Sequence, residues 1–317
     1  MPSIIPAGEL VYGMQLQVQA KSLTFAEDWE ADAGSQQLAA SVRKADETGF
    51  FYVAVCDHLA VTKPLDEHMR TTWYDTVATL GWIAGITHRV RILSHVYVLS
   101  YRHPLHTAKS FMTLDELSGG RAILGVGAGH LEGEFALLGL DYRRRGAVTD
   151  AAIDVIRDAL AEEYPDVRTP VWGHLHDAGM APRPRQRPLP IWVGGSSKPA
   201  LRRAAERGDG WLPQGTPRRD LPGQIARLRE LRAELRGGAP IDIGTIAEPI
   251  HLRSGGAGWD LPAWVNSGGA EEVAEPLREL VAMGVNHLQV RFMARSADEF
   301  AEQTARFGVE VGPLLNP

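Results

Sequence analysis

The chain has 317 residues, of which 44% are hydrophobic and 23% are charged, and its formal net charge is −6. These values are typical of a globular protein and offer no basic surface for nucleic acid or for an anionic membrane. Because Cys56 is the only cysteine, an internal disulfide and a multi-cysteine metal site are excluded. The first residues lack a signal-peptide pattern, and no window holds the roughly 18 apolar residues of a membrane span, so we expect a cytoplasmic protein.

Eight strand patterns alternate with helical patterns along the chain. The predicted strands are residues 11–18, 50–55, 89–99, 121–129, 190–195, 210–214, 241–252 and 286–292. The predicted helices are residues 35–49, 73–87, 103–120, 134–140, 147–160, 198–208, 225–235, 270–284 and 296–311. Such alternation predicts parallel strands with crossover helices, and eight repeats predict a closed (β/α)8 TIM barrel.

The proline-rich stretch "MAPRPRQRPLP", residues 180–190, is the one candidate for a linker between domains. Because the alternation of strands and helices resumes directly after it, we interpret it as a loop inside the barrel. Residues 1–317 are therefore predicted to form a single barrel domain.

Polar residues follow several predicted strands. Asp57 and His58 end strand two, His95 lies in strand three, His130 follows strand four and His251 lies at the end of strand seven. Active sites of such barrels lie at the carboxyl ends of the strands, so these side chains are expected to converge on one mouth. For each histidine alone, a hydrogen-bonded loop residue without a functional role is about as plausible as a catalytic one.

Two glycine-rich strand ends indicate what the mouth binds. In "PIWVGGSSKPAL", Gly194 and Gly195 allow close approach of the backbone, and Ser196 and Ser197 precede a helix whose start favours an anion. This predicts a phosphate site; the alternative is a capped helix after a tight turn.

The second glycine-rich strand end, "GVGAGHLEGEF", lacks the G-x-G-x-x-G spacing of a dinucleotide fingerprint. Its small residues suit a flat ligand lying against the backbone. A planar ring with a phosphate-bearing tail, as in a flavin or deazaflavin, would use both strand ends.

At this point the chain resembles the luciferase-like monooxygenase superfamily, and in particular its coenzyme F420-dependent (LLM class) oxidoreductases. The resemblance rests on "FYVAVCDH", "TLDELSGGRAILGVGAGHLEGEFALLG", "PLPIWVGGSSKPALRRAAERGDGWLP" and "MGVNHLQVRFMARSADEFAEQTARFG", which occur in the family's order. It implies a TIM barrel with insertions at the carboxyl-terminal face of the strands. It also implies a small-molecule substrate and, more weakly, a homodimer.

The resemblance further implies roles for individual residues. Asp57 and His58 would lie beside the cofactor ring, with His58 near the substrate. The bond between His95 and Val96, preceded by Ser94, would be a non-prolyl cis peptide against the ring. The remaining cofactor-binding residues would be Ala128 and Gly129 on the pyrimidine side, and Gly194, Gly195, Ser196 and Ser197 around the phosphate.

The chain departs from the family at strand four. Some deazaflavin dehydrogenases place a catalytic Glu where this chain has His130, and Glu134 lies four residues further on. Since imidazole titrates near neutral pH, His58 or His130 is the candidate catalytic proton donor.

The resulting prediction is an F420-dependent oxidoreductase that transfers a hydride to a C=C, C=N or C=O substrate. Three alternatives stay open: an FMN-dependent two-component monooxygenase that uses O2, a metal-dependent barrel hydrolase, and a non-catalytic flavin binder. Weaker candidates for substrate contact are Trp73, Tyr74, Trp259 and Trp264.

Overall fold

A closed barrel of eight parallel strands forms the centre of the protein. The computed structural model describes residues 3–18, 26–253 and 259–315. The barrel strands are β1 (Val11–Gln15), β2 (Tyr52–Val55), β3 (Arg91–Ser94), β4 (Ala122–Gly127), β5 (Ile191–Gly194), β6 (Gly210–Leu212), β7 (Asp242–Ile246) and β8 (His287–Val290). Each strand pairs in parallel with the next, and β8 pairs with β1, so the predicted TIM barrel is confirmed.

Helices surround this barrel. They are α1 (Ser35–Glu47), α2 (Thr76–Ile86), α3 (Pro104–Ser118), α4 (Glu132–Leu137), α5 (Arg145–Ala161), α6 (Lys198–Arg207), α7 (Leu221–Arg236), α8 (Ala270–Ala282), α9 (Ala297–Arg306) and α10 (Gly312–Leu315). Local signals explain several ends: the carboxylate of Asp75 accepts the Ala78 N–H at the start of α2, and Gly119 ends α3 at φ +75°. Among the described helices, none is long and apolar enough to cross a membrane.

Large side chains fill the barrel because glycines on neighbouring strands leave room for them. A Cβ atom at Gly13 would collide with the ring of Tyr52, and one at Gly244 would collide with the ring of His287. Tyr52 and Trp192 are fully buried in this interior cluster. The barrel is therefore a packed core, and its chemistry is confined to the mouth.

Two predicted strands are interrupted in the structure. Predicted strand 89–99 ends at Ser94, and only Tyr97–Val98 resumes pairing, against β4, after the backbone bends. Predicted strand 241–252 divides into β7 and a separate short strand, Ile250–Leu252, which pairs with Asn266–Gly268. Residues 16–18 lie beyond β1.

The proline-rich stretch, residues 180–190, is hydrogen-bonded to α5 and to β4. Arg183 donates to the carbonyls of Ala159 and Glu162 at 2.8 and 2.7 Å, which fixes the stretch to the end of α5. Gln186 donates to Asp115 and to the Ala122 carbonyl, both at 2.7 Å, just before β5 begins. The preceding antiparallel hairpin, Val167–Thr169 with Gly173–Leu175, was not predicted.

Candidate active site

The ends of β3, β4 and β5 meet around the side chain of Val96. The peptide bond between His95 and Val96 is cis, as the family resemblance predicts. A Cβ atom at Gly127 would collide with one methyl group of Val96, and a Cβ atom at Gly194 would collide with the other. We call Val96, Gly127 and Gly194 the Val96 floor, because only glycines at these two strand ends leave room for the valine.

The two residues before Val96 have buried side chains with partners inside the barrel. The Ser94 hydroxyl donates to the Gly125 carbonyl at 2.8 Å and accepts the Gly125 N–H at 3.0 Å, which joins β3 to β4. His95 Nε2 lies 3.2 Å from the carbonyl oxygen of Leu212. Burial lowers the pKa of His95 to about 4, although the Leu212 carbonyl favours the protonated ring, so His95 is neutral at pH 7. The contacts of both residues fix the chain segment that leads into Val96 to β4 and to β6.

Asp57 is buried and holds the backbone that follows the cis peptide. Its carboxylate accepts two N–H groups of Arg102 at 2.6 and 2.7 Å, the Val98 N–H at 2.8 Å and the Thr76 hydroxyl at 3.1 Å. These contacts do not involve His58. Asp57 therefore fixes the segment from Val98 to Arg102. Its predicted place beside a cofactor ring stays a prediction; we call Asp57 with Arg102 the Asp57 clamp.

Glu134, in the middle of α4, contacts several groups on the other side of the mouth. Its side chain is 1% exposed. One carboxylate oxygen accepts the backbone N–H groups of Leu59 and Ala60 at 2.6 and 3.2 Å. The other accepts the Tyr101 hydroxyl at 3.0 Å and lies 3.0 Å from His58 Nδ1. We call this set of contacts the Glu134 hub.

His58 and His130, both predicted from the sequence, lie next to each other in the structure. The ring of His58 is 4.3 Å from the ring of Trp73 and 5.5 Å from that of His130, between centroids. His130 is exposed, and its carbonyl accepts the Tyr142 hydroxyl at 3.2 Å. The pair forms a wall of aromatic and imidazole rings beside the Glu134 hub.

The charges at this wall follow from its contacts. Burial raises the pKa of Glu134, but the bond and charge of His58 and the two backbone N–H groups outweigh it, so the pKa lies below its usual value. Burial and the Glu134 carboxylate raise the pKa of Tyr101. Although part of His130 is exposed, desolvation of its ring by the surrounding protein and the charge of His58 lower the pKa of this residue. At neutral pH the Glu134 hub thus contains the ionised carboxylate of Glu134 and the protonated phenol of Tyr101, and the His130 imidazole beside it is neutral.

The β5–α6 segment has the local structure expected of a tight turn before a capped helix. Gly195 has φ +90°, which glycine adopts without strain, and its carbonyl accepts the Trp211 indole N–H at 2.9 Å. The Ser197 hydroxyl accepts the Ala200 N–H at 3.3 Å and so caps α6. Ser196 between them is half-buried.

Comparison with models of protein families identifies the family of this chain. Residues 18–255 match the model of the luciferase-like monooxygenase family, which is about three quarters of the chain. The chain belongs to the luciferase-like monooxygenase family. The named relatives of this luciferase-like protein include a dehydrogenase and a monooxygenase.

Individual relatives differ in their named activities. An F420-dependent glucose-6-phosphate dehydrogenase of Kineococcus radiotolerans is 27% identical over 89% of this chain and 93% of its own length. A 4-hydroxyprotoasukamycin monooxygenase of Streptomyces nodosus subsp. asukaensis is 37% identical over 48% of this chain and 43% of its own. The match to an uncharacterized Mycobacterium tuberculosis protein, at 34% identity, covers 55% of this chain and 59% of that protein.

A solved structure shows the same fold. Monooxygenase RslO1 from Streptomyces bottropensis superposes with a TM-score of 0.79 at 21% identity, covering 96% of this chain and 99% of that one. At this level of identity the likeness concerns the architecture of the luciferase-like barrel alone.

Sequence reasoning missed Tyr101 and Arg102 and gave Glu134 no role. A signal was present for Glu134, since it follows His130 by one helical turn. Tyr101 and Arg102 lie in "SYRHP" just after the interrupted strand, and nothing in their spacing indicates that they face Glu134 and Asp57.

Other candidates lie apart from the Glu134 hub. His251 Nδ1 is 3.1 Å from the Met293 carbonyl, and the ring of Trp259 packs 5.3 Å from it. Trp264 is 41% exposed, and Tyr74 lines a groove beside α1 and α2. A His-x-His pattern, His174 and His176, occurs on the hairpin rather than at a barrel strand end.

Proposed function

We propose that this luciferase-like protein is an F420-dependent oxidoreductase that transfers a hydride between the reduced deazaflavin and a small organic substrate with a C=C, C=N or C=O bond. The observation that carries the proposal is the Val96 floor at the ends of β3, β4 and β5. A flat ring would lie against the glycine-lined strand ends, and the imidazole would stand next to it. The F420-dependent relative that matches nearly the whole chain supports this choice of cofactor.

The residues present fit such a group. A Cβ atom at Gly129, which has φ +82°, would collide with Val98 and Phe135, so the backbone can lie close to these side chains only because the residue is glycine. Ala128, Gly129 and the Val96 floor would take the ring, and the N–H groups from Gly195 to Ser197 at the start of α6 would take the phosphate. When bound, the deazaflavin supplies a hydride-transfer centre.

The chain itself supplies the proton that accompanies a hydride. Adding a hydride to a C=O, C=N or activated C=C bond leaves an anion that must gain a proton. His58 is the candidate donor, because its Nδ1 is engaged by Glu134 and its side chain is 12% exposed at the mouth. Trp73 and His130 flank it and would limit access of water and position the substrate.

The second candidate function is an FMN-dependent two-component monooxygenase that uses reduced flavin and O2. The monooxygenase of Streptomyces nodosus supports it, because it is 37% identical over the 48% of this chain that it matches. Both cofactors have planar rings that would lie on the Val96 floor, so measured binding must distinguish them.

An anaerobic titration with coenzyme F420 and separately with FMN, each oxidised and reduced, tests the proposal. We expect saturable F420 binding that is tighter than FMN binding, and then oxidation of reduced F420 with a panel of unsaturated acceptors. The reverse preference would favour the monooxygenase. Binding of neither would reject both functions.

Substitutions can attribute this binding to the Val96 floor. The change Gly194→Ala places a methyl group against Val96 and should weaken cofactor binding about tenfold or more, because overpacking costs about 1–3 kcal/mol. Adding Val96→Ala removes the clash and should restore much of the affinity. Gly223→Ala on α7 is the matched control, since its Cβ would meet nothing within 4 Å.

We also propose that the protein is a homodimer that uses α2. This helix contains no charged residue, yet Ala78, Gly81 and Gly85 on it are exposed. It borders a groove of about 300 Å³ lined by Leu38, Tyr74 and Trp82 among others. Sedimentation should show a dimer that Gly81→Glu dissociates and that Gly223→Glu, on an exposed helical glycine elsewhere, leaves intact. A wild-type monomer would reject the proposal.

A further inference from the structure

We propose that Glu134 is a positioning residue that holds the imidazole of His58 in the tautomer with its proton on Nδ1. The nitrogen available at the mouth is then Nε2. The consequence for catalysis rests on the proposed function, but the tautomer is a property of the protein alone.

The first argument is the number of donors around Glu134. An ionised carboxylate only accepts hydrogen bonds, and its two oxygens offer about four lone-pair positions. Two are taken by the backbone N–H groups of Leu59 and Ala60, which cannot act as acceptors. The Tyr101 hydroxyl takes a third at 3.0 Å. His58 Nδ1, 3.0 Å away, faces the same oxygen as Tyr101.

The second argument concerns the protons on the two neighbours of that oxygen. Because Glu134 and burial both disfavour the phenolate, Tyr101 stays protonated and donates. The depressed pKa of Glu134 leaves no proton on the carboxylate at neutral pH. The only proton that can lie between His58 Nδ1 and Glu134 is therefore one carried by the imidazole.

The third argument is that the side chain of Glu134 fixes both the position of the His58 ring and its tautomer. Glu134 anchors the two residues that follow His58 through their backbone and anchors His58 through its ring. The ring also packs against Trp73 at 4.3 Å between centroids. A ring held at both Nδ1 and one face presents Nε2 as a base when neutral and as an acid when protonated.

The test uses the protein with ¹⁵N-labelled histidine. The ¹⁵N chemical shifts of the imidazole distinguish a protonated nitrogen from an unprotonated one, and His58→Gln identifies the His58 signals. In the wild type at pH 8 we expect a protonated Nδ1 and an unprotonated Nε2. The opposite assignment, or a mixture of equal tautomers, would overturn the proposal without any variant of Glu134.

Two variants distinguish the effect of the Glu134 carboxylate on the tautomer from the effect of the groups around it. In Glu134→Gln the amide oxygen can still accept the N–H groups of Leu59 and Ala60, whereas the amide nitrogen donates toward His58 Nδ1. The tautomer should therefore reverse while the loop stays in place. Tyr101→Phe removes a donor but keeps the carboxylate, so the wild-type tautomer should persist. An unchanged tautomer in Glu134→Gln, with native circular dichroism, would contradict the role.

Turnover then links the tautomer to catalysis. With reduced F420 and an accepted substrate, Glu134→Gln should lower kcat by about 100-fold, the usual range for a lost proton-transfer group, with a smaller change in KM. Its pH–rate profile should also move, which loss of stability alone would not cause. The expected tautomer without F420 binding would reject the proposed function only; F420 turnover with the opposite tautomer would reject the role of Glu134 only.

Discussion

Asp57 and Glu134 are both buried carboxylates beside the His58 loop, yet their partners differ in kind. Asp57 is held by two N–H groups of Arg102, whose guanidinium stays charged in proteins. Glu134 is held by backbone N–H groups, a phenol and an imidazole that can gain or lose a proton. The first arrangement suits a fixed support for the backbone after the cis peptide. The second suits a place where a proton must move.

The largest expected effect comes from breaking the Asp57 clamp. The change Arg102→Ala leaves the Asp57 carboxylate buried without its cation and should lower the free energy of unfolding by about 3–5 kcal/mol. Urea denaturation followed by circular dichroism measures this loss. In the double variant Asp57→Ala with Arg102→Ala, the loss should be smaller than the sum of the single losses, because the pair is coupled. Additive losses would mean that the two residues act independently.

A second comparison uses histidines that are buried without a charged partner. Burial and the charge of His95 lower the pKa of His287 to about 3, below the unfolded value of about 6.5. Because the unfolded chain binds more protons, stability should fall as the pH drops below about 6.5. The loss from His287 is at most about 1.4 kcal/mol per pH unit. Denaturation midpoints at pH 8, 6 and 5 should show a shallower fall in His287→Phe, and equal slopes would contradict the assignment.

A smaller effect is expected at the Glu134 hub. The change Tyr101→Phe removes one hydrogen bond to an ionised carboxylate and should cost about 1.5–3 kcal/mol. The phenyl ring keeps its contact with Phe135, whose centroid is 4.9 Å away, so packing is preserved. Thermal and urea unfolding measure the change. A loss as large as that of Arg102→Ala would remove the distinction between the two carboxylates.

The smallest effect is expected at the exposed start of α6. The change Ser197→Ala removes the cap on the Ala200 N–H and should cost about 1 kcal/mol. Ser197→Gly, in which the backbone can still adopt the capping conformation, should lower the stability by only about a few tenths of a kcal/mol. Equal losses in both variants would mean that the hydroxyl is not the source of the stabilisation. The affinities of the same two variants for F420, measured in the titration, show what the Ser197 hydroxyl contributes to the proposed phosphate binding.

Much of the fold and part of the site follow from local patterns. Alternating strand and helix periodicity predicted the barrel, since each crossover needs a helix between parallel strands. His58, His130 and the glycines at 194 and 195 were chosen as candidates because they lie near the ends of predicted strands. The breaks after Ser94 and after β7 were not predicted, because strand-forming residues resume within a few positions of each break, at Tyr97–Val98 and at Ile250–Leu252.

What the sequence by itself determined is the set of elements and the residues that end them at the mouth. The tertiary structure alone decided which side chains meet. Asp57 and Arg102 are 45 residues apart, and His58 and Glu134 are 76 apart, so no local spacing connects them. Such pairs form because parallel pairing of β2, β3 and β4 brings the segments that follow these strands to one end of the barrel, and for this reason the hub and the clamp were visible only in the folded chain.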